Sequence, residues 1–121
     1  MKTSQDPRHI QRIKIMQELF SAGFNASQHV QQKKSQLILS KLEDIDSWIK
    51  KSAPKWEIEK INRIDLAILR LAVYELLIEK VNPPKVTVDE SVELAKEYGS
   101  ESSPGFINGA LGKIIEDNNL L

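Results

Sequence analysis

Few residues in this chain could do chemistry. His9 and His29 are the only histidines, and there is no cysteine. Neither histidine has a carboxylate or a second imidazole at metal-ligand spacing on a helix, so no metal ligation is expected, and His29 reads as a surface residue. Without cysteine there is no disulfide framework and no thiolate nucleophile. Ser100, Ser102 and Ser103 form no nucleophile motif. Gly105, Gly109 and Gly112 recur at helical spacing rather than in a strand-to-helix phosphate loop. The paired carboxylates Asp89-Glu90 and Glu116-Asp117 read as helix-end charges that suit a dipole or a solvated tail. These patterns point to no enzyme, no metal and no cofactor.

Two features remain unexplained by that reading. The stretch "PGFINGALG" at 104–112 puts three glycines into what otherwise looks like a helix. A glycine costs about 1 kcal/mol relative to alanine in a helix interior. Either a neighbouring helix packs very close to Gly109 and Gly112, or a ligand does; the long central helix is the obvious neighbour. The second feature is charge. The chain is neutral overall, which argues against a strongly basic nucleic-acid binder, yet residues 1–34 carry six basic groups against two acidic ones. Residues 35–121 carry eleven basic against fifteen acidic. Such asymmetry marks either a localised polyanion site or a solvated helix face, and charge alone favours the latter.

The elements that must position these residues are helical throughout. Helix one begins at Pro7 with Asp6 as its cap, and Ile10, Ile13, Met16 and Phe20 follow at helical spacing. Arg8 and Arg12 lie away from that stripe, with His9 between. A second helix runs from Ser27 to Lys51, buried through Leu37, Ile38, Leu42, Ile45 and Ile49, until "SAP" at 52–54 breaks it. A short turn carries Trp56. The segment Ile61–Lys80 is apolar nearly all round, as expected of a central helix buried on most sides. Thr87 and Glu90 stand in capping-box spacing for the next helix, and Gly99 is expected to end it in the left-handed conformation. The last helix starts at Ser103-Pro104 and buries Ile107, Ala110, Leu111, Ile114 and Ile115. Phe106, at the same spacing, reads as core on these grounds.

A chain of 121 residues suits one all-α domain, here two packed helical parts (about 1–52 and 53–121) around a buried central helix. No apolar run approaches the roughly 18 residues that span a bilayer, and the N-terminus has no signal-peptide core, so a soluble, unprocessed, cytoplasmic protein is expected.

"INRIDLAILRLAVYELL", "PPKVTVDESVELAKEYG" and "GFINGALGKI", in that order, closely resemble the NusB transcription antitermination family over residues 54–115. "RHIQRIKIMQELF" is similar to the family's basic first helix. The resemblance implies a bacterial, non-catalytic, all-helical RNA-binding factor. It would bind boxA-type single-stranded RNA together with the ribosomal protein NusE, as part of an RNA polymerase antitermination complex. The positions matching RNA contacts are Arg8, His9, Arg12 and, in "FING", Phe106; those matching the NusE contact are Glu59 and Asp65. Ile10 and Pro104-Gly105 stand where family members often carry basic residues. The resemblance also allows a homodimer through the RNA face. Two alternatives share the fold: a protein-interaction module without RNA binding, and a stand-alone relative of the RNA-binding domain of RNA cytosine methyltransferases. Single-stranded RNA is held by cations on phosphates and by bases stacked on aromatics, which one basic helix and one aromatic could supply.

Overall fold

The computed structural model describes residues 6–24 and 30–120, the Phe24 side chain excepted. His29 and the expected helix start at Ser27 lie outside the described residues. Among these residues the structure is all-helical: α1 (Pro7–Phe24), α2 (Lys33–Leu39), α3 (Leu42–Ser52), a 3-10 turn (Ile58–Lys60), α4 (Arg63–Val73), α5 (Pro84–Tyr98) and α6 (Ser103–Asp117). The helix expected between Ser27 and Lys51 is therefore two helices, parted at Ser40-Lys41. There the Ser40 hydroxyl donates to the Leu37 carbonyl and competes with helix continuation.

α4 is the hub. The Asn62 carbonyl side chain caps it, accepting from the Ile64 and Asp65 amides. From Asp65 to Val73 every residue but Arg70 is buried. A π-helical stretch, Tyr74–Glu79, continues it to Lys80, which closes the end in the left-handed conformation at φ 56°. α1, α3, α5 and α6 all pack on α4, and α5 packs along α6. One apolar core runs through all of them, from Ile15 and Met16 through Ile45, Ile49 and Leu69 to Leu111.

Three local expectations are overturned. The inward face of α1 runs through His9, Arg12, Ile15, Met16 and Leu19, all buried, whereas Ile10 is exposed. The apolar stripe had to be read rotated because two of its inward positions are charged or polar. α5 starts four residues early, at Pro84 with Pro83 instead of Thr87 at the N-cap, since proline costs nothing at a first helical position. Thr87 thus lies inside the helix and caps nothing. Gly99 is not left-handed but extended at φ −90°, ψ −170°. It is glycine for lack of room: a Cβ there would stand 2.5 Å from Ser103 Oγ and 2.8 Å from the Ala95 carbonyl.

Gly109 and Gly112 also depart from the close-packing expectation. A Cβ on either, or on Gly105, would meet nothing within 4 Å. No helix approaches them. They leave a bare strip of backbone on the outer face of α6.

Candidate functional site

The residues matched to the family's contacts fall into three places. The first is a buried ion-pair network that joins α1 to the C-terminal end of the central helix. Arg12 donates to Glu75 through Nε (3.0 Å) and Nη2 (2.8 Å), a bidentate pair. Its Nη1 stands 3.6 Å from Glu90. Lys34 of α2 reaches the same Glu75 at 3.5 Å, and Thr87 of α5 donates to it at 3.2 Å. Burial alone would raise the Glu75 carboxyl, but Arg12's hydrogen bonds and charge, with Lys34 and Thr87, outweigh it and hold the carboxyl below its ordinary range. His9 is 2% exposed, with Nδ1 at 3.1 Å from Glu90 and Nε2 at 2.8 Å from Glu97. His9 and Arg12 are thus engaged inside the protein. Arg8, one residue off the inward face, has a side chain 83% exposed.

The second place lies about 15 Å away along the central helix axis, ten residues at about 1.5 Å each. Here the segment after α3 meets the start of α6. Trp56 and Phe106 approach edge to face, with ring centroids 6.3 Å apart and planes at 75°. Trp56 is half exposed and Phe106 half-buried. Two hollows flank the pair. One, about 370 Å³, is lined by Trp56, Lys60, Asp65, Ser100, Ser102 and Phe106. The other, about 310 Å³, is lined by Pro54, Lys55, Trp56, Gly105, Phe106 and Gly109. The glycine strip of α6 is therefore one wall of an open groove. Side chains at Gly105 and Gly109 would narrow that groove without touching any helix.

Asp65 does not face outward as a protein-contact residue would. It is buried, and its Oδ1 has no hydrogen-bond partner. Burial pushes its carboxyl above the ordinary range, with the Ser103 hydroxyl acting in the opposite direction. Glu59 occupies the third place. It is exposed and lines a separate hollow with Ile58, Ile61, Leu66 and Arg63, the last of which donates to the Gly23 carbonyl at 2.7 Å.

Sequence reasoning did not single out Trp56 or the lysines beside it. Lys50, Lys51, Lys55 and Lys60 are all exposed, and they bracket Trp56 within eleven positions. That interleaving of cations with an aromatic was visible in the sequence. Only the fold shows that Phe106 completes it. Among the described residues no cluster of His, Asp or Glu could hold a metal ion, and no helix is long and apolar enough to cross a membrane.

Known proteins resemble this chain in sequence and fold. The chain is 45% identical to the transcription antitermination protein NusB of Clostridium novyi over 74 residues, 61% of this chain and 56% of that protein. The matched part thus spans little more than half of that relative. The fold superposes on T. maritima NusB with a TM-score of 0.80 at 34% identity, covering 97% of this chain and 94% of that one. A structure of the antitermination factors NusB and NusE in complex with double-stranded RNA shares the fold, with a TM-score of 0.77 at 22% identity over 93% of this chain and 99% of that one. A sequence model of the NusB family matches residues 9–116, from the first turn of α1 to the last of α6, and on that match the chain belongs to the NusB family.

Proposed function

We propose that this chain is an antitermination factor that holds boxA-type single-stranded RNA in the Trp56–Phe106 groove, with a NusE-type ribosomal protein beside it. It would act as a regulatory component of an RNA polymerase antitermination complex, with no reaction of its own. The observation that carries this reading is the accessible aromatic pair, with Lys55 in one flanking hollow and Lys60 in the other. Bases of any identity stack on such rings, and lysines neutralise the phosphates between them. The bare backbone of Gly105 and Gly109 lets the strand lie close to α6. A protein of the same fold is known with NusE and RNA together.

Of the three matched first-helix residues, Arg8 is exposed and extends the phosphate path, whereas His9 and Arg12 hold the helix in place. Glu59 is the acidic group open to a basic partner such as NusE. The internal pairing of Arg12 and His9 favours a second reading, a protein-only module that binds NusE without RNA.

A salt-titrated boxA binding measurement, with and without NusE, separates the two. Lys55→Ala with Lys60→Ala should flatten the log–log salt slope by about 1.4, at roughly 0.7 per phosphate on a single strand. Trp56→Ala should lower affinity by about 1–3 kcal/mol with little change in slope. No boxA binding at low salt, with NusE binding retained, would favour the protein-only module, and wild-type affinity in both variants would move the RNA site out of this groove.

A further inference from the structure

Trp56 and Phe106 stand between two hollows rather than inside one. The hollow of about 370 Å³ lies at the start of α6, beside Lys60, Ser100 and Ser102. The hollow of about 310 Å³ lies along the first turns of α6, beside Lys55, Gly105 and Gly109. The two aromatic residues are the only lining that the hollows share. Resting on the RNA-binding reading above, we propose that this pair is a wedge: two neighbouring bases of one strand are held unstacked, one in each hollow, with Trp56 and Phe106 between them.

The angle between the rings excludes a continuous stack over both. Their planes meet at 75°, so a base lying flat on Trp56 and a base lying flat on Phe106 cannot be parallel to each other. Distance leads to the same conclusion. Stacked neighbours lie about 3.4 Å apart. Ser102 in the wall of one hollow and Gly109 in the wall of the other are separated by about 10 Å of helix, at about 1.5 Å per residue. Parting two neighbours costs their mutual stacking, and each base regains a partner in an aromatic ring. Lys60 in one hollow and Lys55 in the other are placed for the phosphates on either side of the step. The second hollow stays open because a Cβ on Gly105 or Gly109 would meet nothing within 4 Å. A single strand can be splayed in this way, whereas a base inside a duplex must first lose its pair. The site therefore takes an unpaired dinucleotide step.

The test uses six-residue abasic RNA strands that carry either two adjacent 2-aminopurines or only one. Two stacked 2-aminopurines give an exciton couplet in circular dichroism, at wavelengths where the protein does not absorb. Saturation with the wild-type chain should abolish that couplet. In anisotropy with fluorescein-labelled strands, the two-base strand should bind at least about fivefold more tightly than the one-base strand, the lower bound for one further stacked base. Gly109→Leu fills the second hollow and Ser102→Leu the first, and both positions are exposed, so the fold tolerates them. Each filling leaves room for one base and should bring the two-base to one-base ratio below about twofold. The couplet needs no variant, so it decides the matter even if a filled variant alters folding. A couplet retained in the complex, equal affinity of the two strands for the wild-type chain, or a ratio that survives either filling overturns the wedge and leaves the RNA reading intact. Failure of boxA RNA to bind at low salt overturns both.

Discussion

Replacing Arg12 with alanine separates a structural arginine from an RNA-contacting one. Its side chain is 9% exposed and the Glu75 carboxylate it holds is 1% exposed. Removing the guanidinium strands that carboxylate in the interior. Lys34 at 3.5 Å and the Thr87 hydroxyl at 3.2 Å remain but do not replace a bidentate pair. Breaking a buried pair from one side costs about 3–5 kcal/mol. With a urea slope of roughly 2 kcal/mol per molar, the unfolding midpoint should fall by about 1.5–2.5 M at unchanged slope. Arg8→Ala should stay within about 0.5 kcal/mol of wild type, because its side chain is 83% exposed. The double variant Arg12→Met with Glu75→Leu should recover much of the loss, since replacing both partners of a buried pair by apolar groups is often neutral. A folded Arg12→Ala protein with the wild-type urea midpoint and reduced RNA affinity would refute this assignment. The same logic makes Arg8→Ala, and not an Arg8–Arg12 double variant, the clean probe of the first helix's phosphate contact.

Three further outcomes follow from the same geometry. Gly112→Ala should raise stability by about 0.5–1 kcal/mol in thermal melts, because its Cβ meets only open space and alanine favours the helix. Gly99→Ala should lower it by about 1–3 kcal/mol by crowding Ser103 and the Ala95 carbonyl, and a neutral result would mean the α5–α6 turn yields easily. In acid the two buried carboxyls with shifted titration, Glu75 and Asp65, act oppositely. Glu75 is held below its ordinary value of 4.5, so its stabilisation is present above that pH and is lost as pH falls through the folded value; Asp65 is raised above 3.8, so its penalty is full above the folded value and fades toward 3.8. Asp65→Asn should therefore steepen the net loss of stability below about pH 5 relative to wild type, measured by urea unfolding across pH.

The central helix was legible because nothing polar interrupts Ile64 through Val73 except Asp65 and Arg70, and the all-round apolar pattern has one physical solution, burial. The face of α1 was not. Periodicity assigns the inward side to apolar residues, while His9 and Arg12 occupy inward positions satisfied by carboxylates 63 to 88 residues away. No local pattern reports such partners. The capping box at Thr87 was misleading for a related reason: its hydroxyl serves Glu75 on another helix instead of its own backbone. The glycines of α6 were legible as an anomaly, and the open-ligand alternative fits their empty surroundings. Phe106 at core spacing was ambiguous because it serves both purposes, packing partly on the core and edging Trp56.

Tryptophan fluorescence tests the central claim most directly, since Trp56 is one of only two tryptophans in the chain. The other, Trp48, is partly buried against the core, so Trp48→Phe leaves Trp56 as the sole reporter. Titrating that variant with boxA RNA should quench the Trp56 emission, with a midpoint that matches the affinity from anisotropy and shifts with salt in step with it. RNA that binds by anisotropy but leaves the Trp56 emission unchanged would contradict the account and move the RNA site away from this groove.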